Sequence, residues 1–157
     1  MSKNAGGVVT RFDYDESSRM ISETSSPGSR SYVYLDGLLV ATSDVNGSST
    51  KISFVYVDAL GSPRVVADAS GEIDWRWGDA GNAFGEVAPV SLNGFTLHSR
   101  FPGQYFDTES GLNYNVNRDY AAAAGRYIQS DPIGLQGGAG TYVYALGNPL
   151  VFLSTPR

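Results

Sequence analysis

Short runs in which apolar and polar residues alternate, each closed by Gly, Pro, Asn, Asp or Ser, recur along the 157-residue chain. Alternation at period two puts every second side chain on one face of an extended strand, so the pattern predicts consecutive antiparallel strands. Residues 31–35 (Ser-Tyr-Val-Tyr-Leu) and 38–41 (Leu-Leu-Val-Ala) flank Asp36-Gly37, a pair that supplies the positive φ values of a two-residue type I′ turn. A second pair of strands flanks Asn46-Gly47. Residues 64–68 and 72–77 are joined through Ala69-Ser70-Gly71, and Ile73, Trp75 and Trp77 fall on one face of the second strand. That face is predicted to be buried, because aromatic and β-branched residues at period two carry a sheet's apolar area.

Helix signals are poor until residues 121–124, four alanines in a row, a run too short to stand as a helix in water and read as a tight turn or a single helical turn. Two more strands are predicted at 127–129 and 141–145, separated by the Gly-rich stretch 134–140. The 19 glycines, 7 prolines and 10 tyrosines are spread over the whole length, which argues for many short strands and turns in one unit. The expected fold class is all-β, built from antiparallel hairpins, with short helical turns near the C-terminus.

The hairpins are weakly self-similar. Phe12-Asp13-Tyr14-Asp15 is followed by Arg19-Met20-Ile21, and Phe54-Val55-Tyr56-Val57-Asp58 by Arg64-Val65-Val66. The unit is an aromatic-x-aromatic strand, an acidic turn, and an arginine leading the return strand. Hairpins of this kind bury their faces by stacking on one another, as repeat proteins do.

Charge removes some functions. A net charge of −5 and a pI near 4.7 repel phosphates, and no basic run interleaved with aromatics offsets this, so nucleic acid is not an expected partner. The absence of cysteine removes disulfides, thiolate nucleophiles and Cys-based zinc sites. No apolar h-region follows the N-terminus and no segment approaches the roughly 20 apolar residues of a membrane helix. The expectation is a soluble chain, cytoplasmic or exported by a specialised route. No cofactor or metal is expected: Asp13-Tyr14-Asp15 lacks the other ligands of a calcium loop, and 134–140 lacks the Lys-Ser/Thr of a phosphate cradle. His98, the only histidine, lies among Leu97, Ser99 and Arg100, where a surface or half-buried strand residue is expected rather than a catalytic base.

Residues 12–20, Phe-Asp-Tyr-Asp-Glu-Ser-Ser-Arg-Met, resemble a YD repeat, Tyr-x-Tyr-Asp-x-x-Gly-Arg-Leu, with Ser18 at the glycine position. The C-terminal half carries a longer series. Phe101-Pro102-Gly103-Gln104-Tyr105-Phe106-Asp107, Gly111-Leu112-Asn113-Tyr114-Asn115 and Arg118-Asp119-Tyr120 are followed by residues 125–135 (Gly-Arg-Tyr-Ile-Gln-Ser-Asp-Pro-Ile-Gly-Leu) and 142–149 (Tyr-Val-Tyr-Ala-Leu-Gly-Asn-Pro). This order and spacing resemble the RHS repeat-associated core. Asp58 to Arg64 and Trp75-Arg76-Trp77 through Phe84-Gly85-Glu86 fit the segment leading into that core, so the resemblance covers residues 8–153. It implies YD-repeat-like hairpins over 1–57 and the core over 58–157, as one continuous unit. It also implies a spiral β-sheet forming part of a hollow shell. In larger relatives the shell encloses a variable C-terminal toxin, the core plugs its end, and several cores act as intramolecular aspartyl proteases cutting just after a terminal Asp-Pro-x-Gly-Leu.

An aspartyl site needs two carboxylates close enough to share a proton, one ionised to activate water and one protonated to polarise the carbonyl. On the family pattern Arg118 matches the arginine and Asp131 the first aspartate. Ser154 stands where the second aspartate belongs, and a serine hydroxyl does not ionise near neutral pH. Each residue also has a plainer reading. Asp131 precedes Pro132 and would open a turn, while Arg118 would pair with Asp119 or Asp107. The resemblance therefore implies a structural shell or plug fragment without a toxin tip of its own that does not cleave itself. The alternatives are a latent autoprotease, its half-site completed by Asp107 or Asp119, and a carbohydrate or cell-surface binding module. Expected partners are other RHS or YD-repeat chains, or a second copy, through an exposed strand edge near Val8–Tyr14, together with secretion-system or toxin-complex components.

Overall fold

A computed structural model describes residues 1–78, 82–134 and 140–152. The fold is all-β and antiparallel throughout, as the alternation predicts. A nine-stranded meander runs in chain order through β1 (Ser2–Ala5), β2 (Val8–Tyr14), β3 (Met20–Ser25), β4 (Gly28–Leu35), β5 (Leu38–Asn46), β6 (Ser49–Val57), β7 (Pro63–Asp68), β8 (Ile73–Arg76) and β9 (Val90–Ser91). A second sheet of four strands follows: β10 (Tyr105–Asp107), β11 (Leu112–Asn115), β12 (Arg118–Ala121) and β13 (Arg126–Tyr127).

Turn chemistry sets the register. Asp36 and Gly37 take φ of 50° and 81° between β4 and β5, the two positive values of the predicted turn. Between β5 and β6 Asn46 still pairs with Ser49, so the turn residues are Gly47 and Ser48, one position later than the sequence pattern suggests. Gly6 and Gly7, both at positive φ, fold residues 2–5 back onto β2, with Ser2 opposite Arg11 and Ala5 opposite Val8. The free edge is therefore β1 and not Val8–Tyr14, which is hydrogen-bonded on both sides.

The core lies between one face of the meander and the chain that follows it. Phe12, Tyr32, Leu39, Val55, Val66 and Trp75 pack with Phe95, Leu97, Phe101, Tyr120, Tyr127 and Tyr144. Trp75 and Trp77 are each 1% exposed, but Ile73 is 43% exposed and Asp74 is buried in its place. The cause is a bulge: Val66 pairs with Trp75 while Ala67 pairs with Ile73, leaving Asp74 as the extra residue. One inserted residue moves everything beyond it to the other face, and the buried Asp74 is met by Lys51 Nζ at 2.6 Å.

Toward the C-terminus the predicted strands shorten. The alanine run forms one 3-10 turn, Ala122–Ala124, closed by Gly125 at φ 63°. The strand expected at 127–129 ends at Tyr127, because Gln129 folds over and clasps Asp119, its Oε1 accepting the Asp119 N–H and its Nε2 donating to Asp119 Oδ2, both at 2.7 Å. The strand expected at 141–145 is a single bridge from Val143 to Arg126 followed by a 3-10 turn at Ala145–Gly147. Its position is fixed by one side chain: the Tyr144 ring sits 4.4 Å from Tyr120, 5.7 Å from Tyr127 and 5.8 Å from Phe101 between centroids.

A row of charges crosses the inner face. Glu23 faces Arg30, Arg30 faces Asp44 and Asp44 faces Lys51 on successive strands β3 to β6. Alternating sign makes each cross-strand neighbour attractive. Residues 92–98 strap across this row: Phe95 lies 4.8 Å from the Arg30 guanidinium and 5.8 Å from Lys51 Nζ, measured to its ring centroid, and the Thr96 carbonyl accepts a hydrogen bond from Arg30.

Candidate functional site

Two hairpin loops of the meander share one geometry. Asp15 Oδ1 accepts the N–H groups of Ser17 and Arg19 at 2.9 Å, and Oδ2 accepts Arg19 Nε at 2.7 Å. Asp58 Oδ1 accepts the N–H groups of Leu60 and Ser62 at 2.9 Å, and Oδ2 accepts Arg64 Nε at 2.9 Å. In each loop the aspartate carbonyl also accepts the N–H three residues on, Ser18 or Gly61, at 3.0 Å. Each arginine then lies against an aromatic ring of the next strand region, Arg19 at 5.2 Å from Tyr34 and Arg64 at 5.0 Å from Trp77. An aspartate closing its own turn, an arginine holding the other oxygen and a ring beneath the arginine thus form a clamp. Asp15 shows the electrostatic consequence: chiefly the Arg19 N–H, with the Arg19 side chain and the Ser17 N–H, holds its carboxyl below the usual range against the opposing effect of desolvation.

Arg118 and Asp131 meet. Arg118 opens β12, while Asp131 lies in the loop after β13. Arg118 Nη1 is 2.9 Å from Asp131 Oδ2. The Asp131 Oδ1 accepts the Ile133 N–H at 3.0 Å, its carbonyl accepts the N–H of Gly134 at 2.9 Å, and the Arg118 guanidinium lies 3.7 Å from the centroid of the Tyr127 ring. The clamp is the same in its parts, with the arginine supplied by an earlier strand instead of the next one. Behind it Asn115, paired with Arg118 in the ladder, donates its Nδ2 to the Tyr127 hydroxyl at 2.7 Å. Tyr127 and Asn115 were not visible as parts of this site in the sequence. An arginine-aromatic contact between strands depends on register, which no local motif encodes.

The other acids considered for this site are held elsewhere. Asp119 is clasped by Gln129. Asp107 closes its own loop through the Glu109 N–H and the Ser110 hydroxyl, both at 3.1 Å, and pairs with Lys3 of β1. Ser154 lies outside the described residues. His98 stands with its Nδ1 3.8 Å from Glu23 Oε2 and 3.4 Å from the Tyr105 hydroxyl, at the end of the charge row. Burial pushes the Glu23 carboxyl up, but His98, the Tyr32 hydroxyl and Arg30 together outweigh it and hold that carboxyl below its usual range. Among the described residues no group of three or more His, Cys, Asp or Glu side chains is placed to hold a metal ion, and no helix is long and apolar enough to cross a membrane.

No family model matches the chain. It is 43% identical over 99 residues to the toxin protein Tse5 of Pseudomonas aeruginosa, covering 63% of this chain and 7% of that protein. It is 33% identical over 150 residues to double-stranded DNA deaminase toxin A of Burkholderia cenocepacia, covering 83% of this chain and 10% of that one. The probable deoxyribonuclease RhsA of Dickeya dadantii is 31% identical over 122 residues, 74% of this chain and 8% of that protein. The chain thus spans a tenth or less of the length of these three relatives. Among solved structures, TcdB2-TccC3 without its hypervariable C-terminal region superposes with a TM-score of 0.60 over 99% of this chain and 9% of that one, at 19% identity. A chain of the Photorhabdus luminescens Tc holotoxin pore gives 0.59 over 97% of this chain and 9% of that one, at 18% identity. At such identity the likeness is one of fold.

Proposed function

The chain belongs to the RHS family, and from that premise we propose that it is a structural segment of the β-shell of an RHS-type toxin protein, closing the shell without cutting its own backbone. The observation that carries this reading is the repetition of the clamp. The family-matched pair, Arg118 and Asp131, is built from the same parts as Asp15 with Arg19 and Asp58 with Arg64, two pairs whose work is to close hairpin loops: one carboxylate oxygen accepts a backbone N–H of its own turn and the other meets the arginine, here through Nη1 instead of Nε. Both oxygens of the Asp131 carboxylate are already engaged. A carboxylate committed in this way, next to a cation, is an acceptor, and the described acids weighed as its second carboxylate, Asp107 and Asp119, are held by other partners. Ser154, at the family's second aspartate position, does not supply one.

The same 2.9 Å contact supports a second reading, a latent aspartyl autoprotease in which Arg118 keeps Asp131 ionised. One experiment separates the two. The purified chain, held at pH 4 to 7 and followed by intact-mass spectrometry, should stay whole. Ser154→Asp, extended by Pro-x-Gly-Leu and a reporter, should release no reporter if the pair is structural. Release from that variant, abolished by Asp131→Asn, would establish the protease reading. The shell reading extends to partners: further YD-repeat strands should add to the edge at β1, as parts of a longer RHS chain or of a toxin complex.

A further inference from the structure

Among the described residues, arginines are either exposed or paired with a carboxylate, with one exception. Arg11, Arg76 and Arg126 are exposed. Arg19, Arg30, Arg64 and Arg118 each have an aspartate within 2.5 to 2.9 Å. Arg100 is 6% exposed, and among the described residues no carboxylate reaches it. Its Nη1 donates to the carbonyls of Leu97 at 2.6 Å and Ser99 at 3.0 Å. Its guanidinium lies 4.6 Å from the Phe106 ring centroid and 5.6 Å from that of Trp77. Two neutral carbonyls and two ring faces solvate a cation in part, but a buried charge without a counter-charge remains costly. Burial alone pushes the Arg100 pKa down, to about 10, the direction in which the pocket disfavours the charge it contains.

The contrast with Arg64 is instructive, because both guanidiniums lie near the Trp77 ring and only Arg64 has its aspartate. Both carbonyl contacts of Arg100 come from Nη1, and its remaining nitrogens are not among the fully occluded side-chain atoms without a partner, so they keep a narrow opening to solvent. A fork of N–H donors, already desolvated on its other side and braced between rings, matches a planar carboxylate presented from outside. A largely buried cation of this kind binds more strongly than an exposed one, since most of its water has already been removed when the fold forms.

We propose that Arg100, braced by Trp77 and Phe106 and by the Leu97 and Ser99 carbonyls, is a carboxylate-binding site. The carboxylate is either an acidic side chain of another polypeptide segment or a small free organic acid. The site takes one planar anion through the guanidinium fork, and it lies apart from the Arg118–Asp131 clamp.

The test uses the intact chain at pH 7 and constant ionic strength, with the Arg100 Nε–H and Trp77 Nε1–H signals followed by NMR. Sodium acetate should shift both saturably, and sodium chloride should not. Acetyl-glutamate-amide saturating at lower concentration than acetate assigns the polypeptide source, and equal saturation assigns the free acid. Arg100→Lys, which keeps the charge and loses the fork, should weaken acetate binding by about tenfold, the loss of one of two charge-assisted hydrogen bonds. The wild-type titration needs no variant, so a misfolded Arg100→Lys leaves the test standing. An acetate response no larger than that of chloride, or tighter saturation by inorganic phosphate than by acetate, would overturn the proposal.

Discussion

Ser18 shows how far a single position follows from its loop. Three hairpin loops of the meander place a residue three after an aspartate in hydrogen-bonding contact with that aspartate's carbonyl: Ser18 after Asp15, Gly61 after Asp58 and Gly71 after Asp68. All three have positive φ, 60°, 83° and 88°, a region that costs a residue with a Cβ about 1 kcal/mol. Ser18→Gly is therefore expected to stabilise the fold by a few tenths to about 1 kcal/mol, less than the full strain because glycine also loses more entropy on folding. Urea unfolding reads this as a higher midpoint at unchanged slope. Gly61→Ser should do the reverse and by more, since a Cβ there meets Leu38 Cδ2 at 3.2 Å. Val116 carries a similar strain at φ 54° in the turn before Arg118, and for a β-branched residue the conformation is a true outlier. Val116→Asn should raise the unfolding midpoint without altering the Arg118–Asp131 contact.

Asp131→Asn, by contrast, should destabilise. It keeps the turn bond to Ile133 but removes the charge opposite Arg118, leaving a half-buried arginine without its partner. A loss of about 1 to 3 kcal/mol is expected for a charge-assisted bond in such a setting. The same loss from Arg118→Met, and no further loss in the double variant, would mark the pair as one unit in a double-mutant cycle. If instead the two losses add, the clamp does not act as a pair.

Among the elements, the strap at 92–98 and the charge row beneath it depend on each other. Phe95→Ala removes a buried ring and two cation contacts at once, and a cost of about 3 to 5 kcal/mol is expected. Chemical denaturation of the variant measures it. Acid should act on the same region. Glu23 and Asp107 have carboxyls held below their ordinary values of 4.5 and 3.8 despite burial, which by itself raises both. A carboxyl whose pKa falls on folding contributes stability that is present above its unfolded pKa and is lost as pH drops through the folded one. The chain should therefore be at full stability above about pH 5 and lose it progressively below about pH 4. Thermal unfolding between pH 7 and pH 3 checks this, and Glu23→Gln should flatten the decline.

At the scale of the whole molecule, what matters is that a meander has two ends. The sheet stops at β1 on one side and at the two-residue β9 on the other. Unpaired strand edges add further strands unless something blocks them. At β1 the blocking residue is Lys3, whose ammonium is drawn across to Asp107 and Glu109 beside the second sheet. Self-association through this edge, or pairing with another YD-repeat chain, is expected to rise with concentration in light scattering. It should rise further in Lys3→Val, which removes the edge charge and adds a strand-forming side chain. A wild-type chain and variant that both stay monomeric would remove the edge from the list of partner surfaces.

Much of this was legible in the residues. Alternation predicts the all-β class, Asp36-Gly37 its turn, and the order of motifs from Phe101 to Pro149 the family, because strand period and turn chemistry are local properties that a short window of sequence contains. Gly6-Gly7 is an equally local hairpin signal, and it places the free edge at β1. The exposure of Ile73, the folding over of Gln129 and the turn at Tyr144 were not local. A bulge depends on how two strands twist together, and a side chain enters an aromatic cluster only when that cluster exists. The site divides in the same way. The sequence by itself, through its resemblance to the family, singled out Arg118 and Asp131 and put at the second aspartate position Ser154, whose hydroxyl does not ionise near neutral pH. Only the tertiary structure decided that Asp131 has both oxygens engaged, that Tyr127 lies under the arginine, and that Arg100 is buried with no carboxylate among the described residues. Those are contacts between residues far apart in the chain, whose distances are set when the sheet and the strap pack.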